Sequence, residues 1–228
     1  ADTIIVAVGS STYDEALDLA NEIEKIAQNY QTSKTDSHKS IEIIVVSPWG
    51  NFIPALNALL SKAVEKEAEY ILYASIETSI EKSVADCLKK NFEEKTDLVI
   101  GVSLPGHSFL EGENELSGST SPWNTLALWS VQKLSKTGFL LASEGLIKDV
   151  PAGIEEVCAI SLLQMLNPQE CRAKLLRIVG AAWNFEWTDK ARTEWHEEKM
   201  RSKKLRGDLQ LKALQLTPGR VRHIEMKW

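Results

Sequence analysis

At four points along this chain a small polar or acidic residue directly follows a short apolar run: Gly9-Ser10, Ser47-Pro48, Ser75-Ile76-Glu77 and Ser103. Hydroxyls and backbone N–H groups gathered at such points can hold a diphosphate, because several donors then converge on one anion. A magnesium or manganese ion asks for several oxygen ligands, carboxylates among them. Glu77 is the single acid at these points, so a metal there would be weakly held. Further on, Gly153-Ile154-Glu155-Glu156-Val157 sets two carboxylates at the start of an apolar helical pattern. A carboxylate so placed is a serviceable general base for a hydroxyl proton.

Each residue also has a plainer reading. Glu77 is equally a solvated acid opening a turn before Thr78-Ser79. Glu155 and Glu156 sit in a first helical turn, where carboxylates favour the positive end of the dipole. Asn57, on an otherwise apolar helix, reads as a buried amide bonded to backbone or as a ligand contact. Ser10, Ser11 and Thr12 can cap the helix that follows, with Glu15 closing a capping box. His107 has no Cys or acid partner at metal-ligand spacing. The chain carries no Walker loop, no G-x-G-x-x-G after its first strand and no G-x-S-x-G elbow.

These residues need a scaffold that brings strand ends together. Thr3 to Val8, Ile41 to Val46, Tyr70 to Ala74 and Leu98 to Val102 read as short buried strands. Helical patterns follow the first three, over Leu17 to Ala27, Gly50 to Ala63 and about Ile80 to Phe92. That alternation predicts an α/β fold of three αβα layers with a mostly parallel sheet, ligands lying outside its carboxyl strand ends. Leu104 to Pro122, rich in Gly, Ser, Pro and acids, reads as a long functional or disordered loop. Helices are expected from Trp123 to Leu134, from Ile154 to Met165 and near Gln169 to Val179.

The helix carrying Ala55-Leu56-Asn57, the strand opening into Ser75-Ile76-Glu77 and the helix start Gly153-Ile154-Glu155-Glu156 together resemble the GT-A glycosyltransferases of family 2. The likeness covers about residues 3 to 167. In that family an "A-x-N" helix leads to a strand ending in Asp-x-Asp, whose acids hold a divalent metal and the diphosphate of a nucleotide sugar. A later "G-x-E-D" helix start supplies the catalytic base. The resemblance implies a nucleotide-sugar pocket of Gly9, Ser10, Ser47, Asn57, Ser75 and Glu77, with manganese or magnesium at Glu77. It implies Glu156 as base, with Glu155 beside it. Ser75 and Ser47 stand where the family has acids, so the motif is degenerate. A non-catalytic GT-A scaffold within a larger assembly is therefore the alternative function.

Residues 1–182 read as the α/β domain and residues 183–228 as a polar, basic helical extension. Of the extension, Glu186 to Trp228 carries 11 Lys or Arg against 7 Asp or Glu, in a chain of net charge -6. That asymmetry bears on partners, not fold. Trp183, Phe185, Trp187 and Trp195 suit a protein interface. Interleaved Glu194, Glu197 and Glu198 argue against nucleic acid. Cys87, Cys158 and Cys171 are scattered and read as buried free thiols. No run has the roughly 20 apolar residues of a membrane helix and no signal peptide is visible, so a soluble intracellular protein is expected, cytoplasmic or organellar after removal of a presequence.

Overall fold

A computed structural model describes residues 3–33, 40–184 and 190–226. Phe185 and Trp187 lie outside these residues, and so does the side chain of Trp195. The chain divides into two units, residues 1–66 and 67–228. No helix among the described residues is long and apolar enough to cross a membrane.

In the first unit, β1 (Thr3–Val8) pairs in parallel with β2 (Ser40–Val45). The crossover is α1 (Tyr13–Ser33), and α2 (Ile53–Glu65) follows β2. The start of α1 is the predicted capping arrangement. Thr12 Oγ1 accepts the Glu15 N–H at 3.3 Å, and the Ser10 and Ser11 hydroxyls donate to the Glu15 carboxylate at 2.8 and 2.6 Å. Those hydroxyls, Ser11 first, hold the Glu15 carboxyl below its ordinary pKa. Helix α2 begins with Pro54 in its first turn, where a missing N–H costs nothing. It is tied to β2 by Glu42, which pairs with Lys62 at 2.8 Å and Lys66 at 2.6 Å.

The second unit is built on a six-stranded sheet of order β3-β7-β5-β8-β10-β6. Its strands are β3 (Tyr70–Ala74), β5 (Asp97–Val102), β6 (Gly112–Glu115), β7 (Leu126–Ser130), β8 (Arg172–Arg177) and β10 (Arg220–Glu225). A separate two-stranded sheet joins β4 (Thr78–Ile80) to β9 (Ala181–Trp183). The helices are α3 (Lys82–Lys90), α4 (Val131–Leu134), α5 (Glu155–Leu166) and α6 (Lys190–Ala213). The protein is thus a mixed α/β structure. Its main sheet is mixed where a mostly parallel one was expected, since β7 runs antiparallel to both neighbours and β6 runs antiparallel to β10.

Strands β5 and β7 are buried along their whole length. One core cluster gathers Leu126 and Leu128 of β7, Ile100 and Val102 of β5, and Val84 and Leu88 of α3. Trp129, one residue on from Leu128 and so on the other face of the strand, meets Phe139 edge to face at 5.3 Å.

Three expected elements come out differently. Trp123 to Leu134 is a turn, a strand and only one turn of helix. Its apolar run is five residues of a central strand, and such a run carries no period that separates strand from helix. Gln169 to Val179 is not a helix, because β8 fills the slot between β5 and β10. Leu104 to Pro122 is an ordered connection that contributes β6 and buries Leu116, Ser117 and Ser121.

The polar C-terminal stretch belongs to the second unit. Helix α6 buries Lys203, Gln210 and Leu211, and β10 occupies an interior position of the sheet. Gln210 acts as a bolt. Its amide nitrogen donates to the carbonyls of Pro151 (2.9 Å) and Gly153 (2.5 Å), while its oxygen accepts from Ser143 at 3.0 Å. Gln210→Met is close to glutamine in length and size but would strand these groups, so a loss of about 2–3 kcal/mol is expected in urea melts. A loss under half a kcal/mol would show that α6 is held by other contacts.

Candidate functional site

The residues with chemical potential in the second unit meet on one short segment, Asn124-Thr125. Strand β3 ends at Ala74, and the chain turns at once through Ser75, Ile76 and Glu77 into β4. The turn is pinned by backbone. Ser75 N–H donates to the Thr125 carbonyl at 3.0 Å, and Thr78 donates to the same carbonyl through its hydroxyl at 3.1 Å. The Glu77 carbonyl accepts the Asn184 N–H at 2.9 Å. The Ser75 hydroxyl donates to the Glu77 carboxylate in a short hydrogen bond. Ile76, between them, is 96% exposed.

The Gly153-Ile154 turn enters α5 with Ile154 itself in the left-handed region, at φ 63°. That turn sends Glu155 and Glu156 inward, and both are buried. Asn124 receives them. Its backbone N–H donates to Glu156 Oε1 at 2.5 Å and its side-chain Nδ2 donates to Glu155 Oε1 at 2.9 Å. Trp129 Nε1–H donates to Asn124 Oδ1 at 2.9 Å, which fixes the orientation of the amide. Burial, reinforced by the Glu155 charge, raises the Glu156 carboxyl to about 8, and the Asn124 N–H opposes this only in part. Glu156 therefore holds its proton to higher pH than a solvated carboxyl does.

Beside this segment the space is filled. Trp123 is 2% exposed; His107 stacks on it at 3.5 Å, Trp183 meets it edge to face at 6.0 Å, and the Lys203 ammonium lies over its ring. Met200 of α6 packs where a side chain at Gly106 would stand.

The remaining site candidates belong to the first unit. Gly9 is covered by its own Trp49, so that a Cβ there would lie 2.6 Å from the indole Cδ2. Ser10 is engaged with Glu15. Ser47 is exposed on the turn after β2, and Asn57 is partly buried on α2.

Among the described residues no three His, Cys, Asp or Glu side chains group so as to hold a metal ion. Glu77 offers one carboxylate, already hydrogen-bonded by Ser75. A divalent ion with a nucleotide sugar does not fit this donor set. Sequence reasoning missed Asn124 and Lys203. Asn124 carries no motif of its own, and Lys203 reads as one of many surface lysines of a polar helix. No protein-family model matches this chain, and a search of curated proteins returns no match.

Proposed function

We propose that this chain is a GT-A-type domain akin to the family-2 glycosyltransferases that no longer catalyses, and that it serves as a non-catalytic subunit of a larger assembly. One observation carries the reading: Glu156, at the position of the family's base, is buried, held above its ordinary pKa and engaged by the Asn124 N–H. A base must be ionised and within reach of the acceptor hydroxyl. Kinship is supported by the meeting of the Ser75–Glu77 turn and the Glu155–Glu156 helix start on Asn124-Thr125. The loss of chemistry is supported by the Trp49 cover on Gly9 and the Trp123 and Lys203 filling.

In thermal-shift and calorimetric titrations with millimolar UDP- and GDP-sugars plus manganese, no binding is expected, and sugar-nucleotide turnover would sink the reading. Docking then falls to the outward face of α6, where Arg201, Lys204, Leu205 and Lys212 are exposed. The combined Lys204→Glu, Leu205→Glu and Lys212→Glu variant is expected to lose partners that co-purify with the full chain. Retention of every partner places docking elsewhere.

A second reading rests on the same carboxyl, since a group titrating near 8 is also poised for proton transfer. The Glu156→Gln variant separates the two. Folded Glu156 keeps a proton that the unfolded chain releases above its ordinary 4.5, so its contribution to stability falls as pH rises from 4.5 to about 8. Glutamine preserves the acceptor for Asn124 without this penalty. The non-catalytic reading expects Glu156→Gln to be more stable than the wild type in urea melts at pH 8, with the gain shrinking toward pH 5. The catalytic reading expects a measurable wild-type turnover that this variant abolishes.

A further inference from the structure

The edge strand β6 is fastened to its sheet by a buried histidine that the site does not use. His223, in the middle of β10, is 1% exposed. Its Nδ1 accepts the Leu110 N–H at 3.3 Å and its Nε2 lies 3.0 Å from the Thr120 carbonyl. A carbonyl only accepts, so the ring proton sits on Nε2 and Nδ1 is bare. One imidazole thus holds both ends of the stretch that contains β6. Its ring also stacks on Phe109 at 4.9 Å, and the Arg177 guanidinium lies 4.0 Å from the centre of that phenyl ring.

A second proton has nowhere to go in this arrangement. Placed on Nδ1, it would face the Leu110 N–H, donor against donor. The charged and titratable groups around the ring are Arg177 of β8, Glu113 of β6 and His107. Arg177 already pairs with Glu225 at 3.0 Å, and burial together with the Arg177 charge outweighs Glu113, holding His223 below its ordinary pKa. His107, at the start of the same connection, is held near 3 chiefly by burial. It binds the Ser121 carbonyl through Nε2 at 3.0 Å. Its Nδ1 lies near both the Leu104 N–H and the Leu104 carbonyl, so a second proton there finds an acceptor. His107 is therefore the weaker sensor.

We propose that His223 is a proton-operated latch: neutral, it holds β6 against β10, and protonated, it releases the Phe109–Thr120 stretch and bares the β10 edge of the sheet. The sign follows from linkage. The folded pKa is lowered, so the latch is fully effective above the ordinary 6.5 and weakens as pH falls below it. While the closed ring stays neutral, each pH unit below 6.5 raises the open-to-closed ratio up to about tenfold. Release would leave β10 as an exposed edge able to take up another strand.

The test is amide hydrogen exchange on the whole chain at pH 7.5 and pH 5, expressed as protection factors so that the intrinsic pH dependence of exchange cancels. The latch expects the Leu110 and Asn114 amides to lose roughly tenfold or more in protection at pH 5, while Val99 and Ile100 in β5 hold theirs. His223→Asn keeps an acceptor near Nδ1 but cannot titrate, and is expected to abolish that differential. Equal loss in β6 and β5 would be general acid unfolding and would overturn the latch. So would unchanged β6 protection in the wild type, or a full pH response retained by a folded His223→Asn. If that variant does not fold, the wild-type contrast between β6 and β5 decides alone.

Discussion

Lys174→Met is expected to cost about 3–5 kcal/mol, read as a lowered urea midpoint, because it leaves a buried carboxylate without its cation. Asp97 opens β5 with no solvent exposure, and Lys174, its neighbour on β8, is buried as well. The ammonium lies 2.7 Å from Asp97 Oδ2, 3.0 Å from Glu93 Oε1 and 3.1 Å from the Asn91 carbonyl. Asp97 Oδ2 also accepts the Glu93 N–H at 2.7 Å, whereas Oδ1 has no hydrogen-bond partner among the described residues. The Lys133 ammonium also lies close, on the Asp97 main-chain carbonyl at 2.8 Å, but Lys174 is the cation that touches the carboxylate, and methionine fills its space without supplying the charge. Removing both charges, as in Asp97→Leu with Lys174→Met, is expected to be less harmful than removing Lys174 alone, since no orphaned ion remains. If the double variant is as unstable as the sum of the singles, the pair is not what makes Lys174 necessary.

Gly118→Ala is the second large effect, about 3 kcal/mol. It would lower the melting temperature of a chain this size by roughly 6–12 °C. Here the need is for space, not for an unusual φ. A Cβ on Gly118 would lie 2.5 Å from the Lys203 carbonyl carbon and closer still to its oxygen, so backbone meets backbone and no rotamer change relieves it. The connection and α6 would have to separate, and Lys203 would shift off Trp123. Gly207, one turn further along α6, makes the control. A Cβ there would meet Gly118 N at 3.4 Å and Val157 at 3.6 Å, which is ordinary contact. Gly207→Ala is expected to be neutral or to gain up to about 1 kcal/mol from helix propensity. Equal losses at the two glycines would refute the close-approach argument.

The sequence by itself determined what rests on local pattern. The β1-α1-β2-α2 order, the Thr12 and Glu15 cap, strands β3 and β5, and helix α5 with its two leading carboxylates all follow from residues within one or two turns of each other. Capping chemistry and hydrophobic period are short-range effects, and they survive in any tertiary setting that keeps the element. Tertiary structure decided the rest. Arg172–Arg177 reads as helix until β5 and β10 flank it, and Leu126–Ser130 becomes a strand because β3 and β5 offer hydrogen bonds on both sides. The extension reads as a polar helix, yet residues 220–225 complete the sheet through pairing across more than a hundred positions of chain with β6. The site divides in the same way. Which residues carry carboxylates is written in the chain. That Glu156 is buried against Asn124, that Trp123 is covered by Lys203, and that His223 closes the β6 stretch depend on long-range contacts that no local window contains.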